Sequence, residues 1–215
     1  MKLDIRSLAL VQGIEKNEYK PLGTAFCFLK PQWFVTAKHV LEENHSLLRD
    51  KLTLNVNGKF FSASDIWIHD KRDIALLDLG ESVCPKPFYP SHWDYDRQKG
   101  GLIKFAYSPS DSRQKERPIY KVSPIVDFET QERSREDGTE LLFEFDDEYS
   151  EGGNSGGPIC SASGGVVGII IDGTSRVNTK RTTATDVKVL LELVELNNII
   201  LNRYRLNGDA YVIES

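Results

Sequence analysis

Apolar and polar residues alternate along most of the chain, and short polar turns separate the alternating runs. A period of two places every second side chain on one face of a β-strand, so this pattern predicts strands. Lys30, Pro31 and Gln32 form the turn of the clearest hairpin, between predicted strands at 24–29 and 33–36. Further strands are predicted at 51–56, 74–79, 102–107, 119–128, 140–145 and 166–171. Such spacing is typical of antiparallel β-sandwiches or β-barrels, so we predict an all-β chain.

Two polar or proline-rich segments interrupt the strands. Residues 81–97 contain three prolines between positions 85 and 90, which predicts an extended linker between two domains. Residues 130–139 are nearly all polar, which predicts an exposed hairpin loop.

The end of the chain has a different period. From residue 187 the apolar residues recur with the i, i+3, i+4, i+7 spacing of a helix. Asp186 fits an N-cap, and Asn207 with Gly208 fits a stop signal. We therefore predict a C-terminal helix, followed by a short tail at 211–215.

Composition and charge limit the class of partner. The 215 residues include 27 basic and 32 acidic ones, which gives a net charge of −5. A mildly acidic chain without a basic stripe is poorly suited to bind nucleic acid or an anionic membrane surface. The longest apolar run, at 166–171, is far shorter than a membrane span. We therefore expect neither nucleic acid nor a membrane as a partner.

The N-terminus and the cysteines predict the compartment. Lys2, Asp4 and Arg6 place charges where a secretory signal needs an apolar segment, so no signal peptide is expected. The cysteines are odd in number and lack CxxC spacing, which favours buried, reduced thiols over disulfides. They are Cys27, Cys84 and Cys160. Both observations predict a cytoplasmic protein.

A glycine-rich loop, GGNSGGP at 152–158, surrounds one serine. Clustered glycines permit backbone angles that other residues resist, and they leave room for a substrate carbonyl to approach backbone N–H groups. An exposed Ser155 beside fixed hydrogen-bond donors is what acyl transfer requires. Taken alone, the segment also fits a glycine-rich β-turn without a chemical role.

Two further segments give this loop a context. The block TAKH ends at His39 after a strand, and the block DIALL begins at Asp73 and opens another strand. With GNSGGP at 153–158, the three blocks follow the order His, Asp, Ser, and the chain resembles the trypsin-like (chymotrypsin-fold) serine peptidases. GNSGGP in place of GDSGGP is similar to compact bacterial HtrA-like and glutamyl-endopeptidase-like members. No PDZ domain is expected after the helix.

The resemblance implies a fold and a domain division. The fold would be two antiparallel Greek-key β-barrels with a C-terminal helix. Residues 1–90 would form the N-terminal barrel with His39 and Asp73. Residues 91–215 would form the C-terminal barrel with Ser155, so the active site would lie between the barrels.

The resemblance also implies the mechanism of a serine endopeptidase. Ser155 would attack the scissile carbonyl, His39 would carry the proton, and Asp73 would orient His39. The N–H groups of Gly153 and Ser155 would form the oxyanion hole. No metal or other cofactor is required. The remaining histidines have no partner at metal-ligand spacing: His45, His69 and His92.

Substrate-binding residues follow from the resemblance by their offset from Ser155. They are Tyr149 at the base of the S1 pocket, Ile170 and Thr183 on other walls, and Ile171 and Gly173 along the substrate backbone. No Asp stands at the place of Tyr149 and no His near Ile170, which favours a small or medium apolar P1 residue. In family members that are activated by N-terminal cleavage, an acid at the position of Asn154 pairs with the freed N-terminal amine. Asn154 is neutral and cannot form this ion pair, so such activation is not expected.

Two more specific interpretations stand beside that of a general protease. One is a regulated intracellular protease that processes a partner protein and responds to a regulatory protein partner. The other is a pseudoprotease, which keeps the fold and binds peptides in the same cleft; the complete His, Asp and Ser set argues against it. A protein or peptide is the expected ligand in every case.

Overall fold

The computed structural model describes residues 4–15, 18–42, 52–91, 101–109, 118–125, 129–135, 138–146, 152–176, 179–195, 201–207 and 210–214. These residues form two antiparallel β-sheets, one of 9 strands and one of 7. The predicted all-β fold with a C-terminal helix is confirmed, and the strands of the two predicted barrels form two antiparallel sheets.

The strands in chain order are β1 (Leu8–Glu15), β2 (Glu18–Cys27), β3 (Trp33–Thr36), β4 (Thr53–Val56), β5 (Lys59–Phe61), β6 (Asp65–His69), β7 (Ala75–Asp78), β8 (Leu102–Tyr107), β9 (Tyr120–Ile125), β10 (Glu129–Arg135), β11 (Gly138–Asp146), β12 (Pro158–Cys160), β13 (Val166–Arg176), β14 (Thr179–Asp186), β15 (Leu201–Asn207) and β16 (Ala210–Glu214). The helices are α1 (His39–Glu42) and α2 (Val187–Glu195), and Ile5–Ser7 form a 3-10 turn. The first sheet has the order β16-β15-β6-β7-β3-β2-β1-β4-β5, and the second β10-β11-β14-β13-β12-β8-β9.

One apolar cluster lies between the two sheets. Phe26 of β2 and Phe28, just after that strand, pack with Phe105 of β8 and with Leu190 of α2. Phe88 makes an edge-on contact with Phe26 and a tilted contact with Phe105, at centroid distances of 5.8 and 6.4 Å. Each large apolar side chain buried in this way contributes about 1.5–3 kcal/mol. The cluster therefore fixes how the two sheets sit against each other.

The described part of the predicted linker runs from one sheet to the other. The N–H of Phe88 donates to the carbonyl of Cys27 in β2, and the N–H of Val166 in β13 donates to the carbonyl of Tyr89, both at 2.8 Å. Isolated bridges join Phe28 with Phe88 and Pro90 with Val166. An extended, proline-rich segment suits this role, because its remaining N–H and C=O groups can bond to strands on both sides.

The predicted C-terminal helix is correct at its start and wrong at its end. Helix α2 begins at Val187, and the Asp186 carboxylate accepts the N–H of Lys188 at 2.8 Å, as an N-cap should. Residues 201–207 and 210–214, predicted as helix and tail, are instead the strands β15 and β16. β15 pairs with β6, so it satisfies the backbone groups that an edge strand leaves open. The chain thus returns to the first sheet at its end. The predicted division at residue 90 does not provide for this return.

Other strands were not predicted either, among them β10 and β1. β10 and β11 pair antiparallel from Glu129↔Glu144 to Arg135↔Gly138, as in the expected hairpin, but they take up most of the predicted loop. A polar sequence indicates exposure, and exposure does not prevent a backbone ladder from forming. β1 near the N-terminus also escaped the sequence analysis, although it pairs with β2 along its whole length.

Candidate active site

His39 and Asp73 are brought together by two neighbouring strands. β3 and β7 pair antiparallel with Thr36 opposite Ala75, so the end of β3 lies beside the start of β7. His39 opens α1 just after β3, and Asp73 stands just before β7. The Nδ1 atom of His39 lies 2.8 Å from Oδ2 of Asp73. The backbone N–H of His39 also donates to Oδ1 of Asp73 at 2.8 Å.

This pairing determines the proton arrangement on the neutral His39 ring. A carboxylate only accepts hydrogen bonds, so the ring proton lies on Nδ1 and leaves Nε2 as an acceptor. The two side chains remain 27% and 31% exposed, so the pair lies at the surface of the protein. Asp78 and Asp70, near the same block, have other partners: Asp78 accepts the indole N–H of Trp33 at 3.0 Å, and Asp70 lies 3.2 Å from His69.

The serine loop is anchored to both sheets. The carbonyl of Ser155 accepts the N–H of Thr24 in β2 at 2.8 Å. The N–H of Gly156 donates to the carbonyl of Ile170 in β13 at 2.7 Å, and the N–H of Ile170 donates to Gly157 at 2.9 Å. Ser155 itself is half-buried. Its position is therefore set by strands of both sheets.

The same anchoring brings Ser155 next to the His39 helix. Gly23 lies between the two: a Cβ at this position would stand 2.9 Å from the Ser155 carbonyl oxygen and 2.7 Å from a methyl group of Val40. Val40 directly follows His39 in α1. The absence of a side chain at Gly23 thus lets the serine loop approach the histidine helix closely.

Gly153 and Gly156 need to be glycines. Both have positive φ angles, +99° and +86°, which residues with a Cβ rarely adopt. A Cβ at Gly156 would also overlap the Thr24 carbonyl oxygen and the Thr36 hydroxyl. This explains physically why a serine loop of this shape is glycine-rich.

The backbone donors of the loop divide into two groups. The N–H groups of Gly156 and Gly157 are used, on Ile170 and on the Asn154 carbonyl. The N–H groups of Gly153 and Ser155 have no acceptor among the described residues. These two are the donors that the sequence analysis assigned to an oxyanion hole, which stays a prediction.

The sequence did not reveal the buried side chains that hold the serine loop by hydrogen bonds. The Asn154 side chain donates to the Tyr107 carbonyl at 2.9 Å and accepts from the amine of Lys104 at 3.1 Å. The Thr24 hydroxyl donates to the Gly153 carbonyl at 2.8 Å and accepts the Tyr107 N–H at 2.9 Å. One signal was available for Lys104, because it is the charged residue inside the apolar strand LIKFAY.

The predicted substrate-binding residues lie in different surroundings. Ile170 is fully buried in a core cluster, where its backbone supports the serine loop, and Ile171 is 9% exposed. Thr183 is half-buried on β14 opposite Asp172, and Gly173 pairs with Thr182. Tyr149 lies outside the described residues. Their substrate contacts remain predictions.

Three other features of the described residues bear on the site. No group of three His, Cys, Asp or Glu side chains among them could hold a metal ion. No helix in the described ranges is long and apolar enough to cross a membrane. Cys160 lies five residues after Ser155, but it is fully buried and burial raises the pKa of its thiol, so it is a poor nucleophile.

Solved structures with the same fold are proteases. The chain is similar to the Rv3671c protease from M. tuberculosis in its active form, at 17% identity and a TM-score of 0.64, over 97% of this chain and 86% of that one. It is similar to the HtrA-type protease AlgW with a decapeptide, at 15% identity and 0.65, over 89% of this chain and 64% of that one. It is also similar to the MamO protease domain from Magnetospirillum magneticum, at 17% identity and a TM-score of 0.61, over 87% of this chain and 95% of that one.

At such low sequence identity, the similarity to these structures establishes only a shared fold. The family is established by the match of the sequence to a family model. No curated protein matches the chain. The trypsin family model matches residues 17–194, which include all three predicted blocks. The predicted resemblance to trypsin-like peptidases, with HtrA-type proteases among the structural neighbours, is therefore confirmed. The chain belongs to the trypsin family and is a serine endopeptidase.

Proposed function

We propose that the chain hydrolyses peptide bonds through a triad of His39, Asp73 and Ser155. The observation that carries the proposal is the pair of hydrogen bonds that Asp73 accepts, one from the ring Nδ1–H and one from the backbone N–H of His39, both at 2.8 Å. A partly exposed imidazole whose Nδ1 is bonded to Asp73, and whose Nε2 can accept a proton, is prepared to act as a base. The anchoring of Ser155 beside the His39 helix supports the same assignment.

Each residue has one role in the proposed mechanism. Oγ of Ser155 attacks the scissile carbonyl carbon while Nε2 of His39 takes the hydroxyl proton. The tetrahedral oxyanion accepts hydrogen bonds from the N–H groups of Gly153 and Ser155. His39 then returns the proton to the leaving amine, and water hydrolyses the acyl-enzyme by the same steps. Asp73 keeps its charge throughout and stabilises the imidazolium.

Covalent labelling tests the proposal. A fluorophosphonate probe reacts with a serine that a neighbouring base activates, and intact mass counts the adducts. We expect one adduct on the wild type and none on Ser155→Ala, with equal thermal stability of the two proteins. A folded wild type without an adduct would contradict the triad and would favour the pseudoprotease, which a peptide-binding measurement on the same sample would then examine.

A finer part of the proposal concerns the substrate. AlgW, to which the fold is similar, has been solved with a decapeptide and with a tripeptide, which supports a peptide or protein substrate for this chain. We propose that the substrate is a partner protein and that a regulatory protein controls the activity. Cleavage of unfolded casein should then be slow beside cleavage of a partner that co-purifies with Ser155→Ala. A peptide library should show a small or medium apolar P1 residue.

The proposed compartment is the cytoplasm. All three cysteines are buried and free, which fits a reducing environment. Fractionation of cells that express the chain, with thiol counting on the denatured protein, tests this. Three titratable thiols in the cytoplasmic fraction are expected, and a disulfide in an extracytoplasmic fraction would contradict the proposal.

A further inference from the structure

We propose that Lys104 is a positioning residue that holds the oxyanion loop through the side chain of Asn154. The inference rests on the proposed function, because it concerns the loop that carries the Gly153 and Ser155 donors. Lys104 belongs to β8 in the second sheet, and Asn154 immediately precedes Ser155.

The burial of Lys104 is the first argument. Its side chain is 1% exposed, and its neighbours across the ladder are Ser123 of β9 and Ile159 of β12, so it lies inside the sheet and not at an edge. A buried lysine is rare unless its amine has partners, because removal of the amine from water is costly. Here the Lys104 amine donates to Oδ1 of Asn154 at 3.1 Å.

The geometry of Asn154 is the second argument. This residue is 5% exposed, and both ends of its amide are used: Oδ1 accepts from Lys104, and Nδ2 donates to the Tyr107 carbonyl at 2.9 Å. An amine can only donate and a carbonyl can only accept, so the two partners together allow one orientation of the amide. Lys104 therefore determines which way the Asn154 side chain points.

The Asn154 side chain is separated from the proposed oxyanion donors, the N–H groups of Gly153 and Ser155, by only one peptide unit on each side. Asn154 lies between Gly153, whose φ is +99°, and Ser155. Without the amine, a buried carbonyl oxygen on Asn154 would lack this donor, and the loop would gain free energy by turning it elsewhere. The N–H groups of Gly153 and Ser155 would then lose their present orientation. Lys104 is too deeply buried to touch a substrate, so its effect is on position alone.

The first experiment replaces Lys104 with methionine, which has a similar length and no donor. Loss of one oxyanion donor costs about 10²–10³ in kcat, so a displaced loop should lower kcat by about tenfold or more. KM should change less than about threefold, since the substrate-binding strands are unaltered. The control is Lys121→Met on neighbouring β9, opposite Ala106 in the ladder, which should keep kcat within about twofold.

The second experiment asks whether Lys104 acts through Asn154. Asn154→Leu removes the acceptor and keeps the approximate volume. In that background, Lys104→Met should cause no further loss of kcat or of fluorophosphonate labelling rate, because the contact has already gone. The double variant also removes both buried polar groups, so it is expected to fold even if Lys104→Met does not.

Each outcome separates this inference from the proposed function. If the wild type is not labelled, the proposed function fails and the role of Lys104 fails with it. If the wild type is labelled and Lys104→Met keeps the wild-type kcat, only the role of Lys104 is wrong. A further tenfold loss in the Asn154→Leu background would also overturn it, since Lys104 would then act by another route. A kcat loss that Lys104→Met causes in the wild type, and not in the Asn154→Leu background, supports the inference.

Discussion

The hydroxyl of Thr24 donates a hydrogen bond to the carbonyl of Gly153 at 2.8 Å, and so connects the first sheet with the serine loop of the second. The same hydroxyl accepts the N–H of Tyr107 at 2.9 Å. Thr24 is fully buried on β2. One side chain of the first sheet thus contributes to the conformation of the residues around Ser155.

Thr24→Val should destabilise the protein and slow it. Valine has the shape of threonine but leaves the Gly153 carbonyl and the Tyr107 N–H without this partner, which costs about 1–3 kcal/mol. Thr53→Val on β4 is the matched control, because the described residues provide no hydrogen-bond partner for the Thr53 hydroxyl. Urea unfolding should show the loss for Thr24→Val and none for Thr53→Val. Equal stabilities of the two variants would contradict the role of Thr24.

Asp73→Asn should abolish most activity with little loss of stability. The amide oxygen can still accept the His39 N–H, but the amide nitrogen would donate to Nδ1 and move the ring proton to Nε2. By analogy with trypsin-like enzymes we expect kcat to fall about 10⁴-fold. Asp78→Asn, at the other end of β7, is the control and should keep the wild-type kcat. An active Asp73→Asn enzyme would exclude Asp73 from the triad.

Gly156→Ala should destabilise the folded state by about 3 kcal/mol, since it combines a strained positive φ with overlap against Thr24 and Thr36. Gly152→Ala provides the comparison, because a Cβ at Gly152 would meet nothing within 4 Å. Thermal unfolding of the two variants measures the difference. Similar melting temperatures would mean that the loop adjusts around the new methyl group.

The Cys160 thiol should make the protein less stable in alkali. Burial raises the pKa of this thiol in the folded state, so the unfolded state loses its proton first. The thiol has a pKa of about 8.5 in the unfolded chain. Because its pKa is higher in the folded protein, the folded state has its full stability below that pH and loses stability as the pH rises above it. From pH 7.5 to 9.5, under reducing conditions, the free energy of unfolding should fall by about 1 kcal/mol more in the wild type than in Cys160→Ala. Parallel curves would contradict a protonated, buried thiol.

Sequence patterns predicted well those elements whose signal is local. The hairpin around Lys30–Gln32 has a turn with Pro31 between alternating strands, and it occurs as β2 and β3. The start of α2 has an N-cap in Asp186 and a helical apolar repeat. In both cases the residues that define the element are close in sequence, so their mutual contacts do not depend on the rest of the fold.

Elements whose signal is distant were missed. β15 follows a helix and has mixed polar and apolar residues, and only the open edge of β6, more than a hundred positions earlier, makes it a strand. Lys104 was passed over for the same reason, because its partner Asn154 lies 50 residues away. Neither partner can be identified from the segment that needs it.

The order of His39, Asp73 and Ser155, the glycines around the serine and the family are contained in the chain as written, because residue identity and spacing carry them. The approach of Ser155 to the His39 helix is not, and neither is the orientation of its N–H donors. These depend on Gly23, Thr24 and Lys104, which meet the serine loop only when the two sheets pack together. Contacts between residues far apart in sequence form when the folding free energy of the whole domain orders the chain, and no local pattern encodes them.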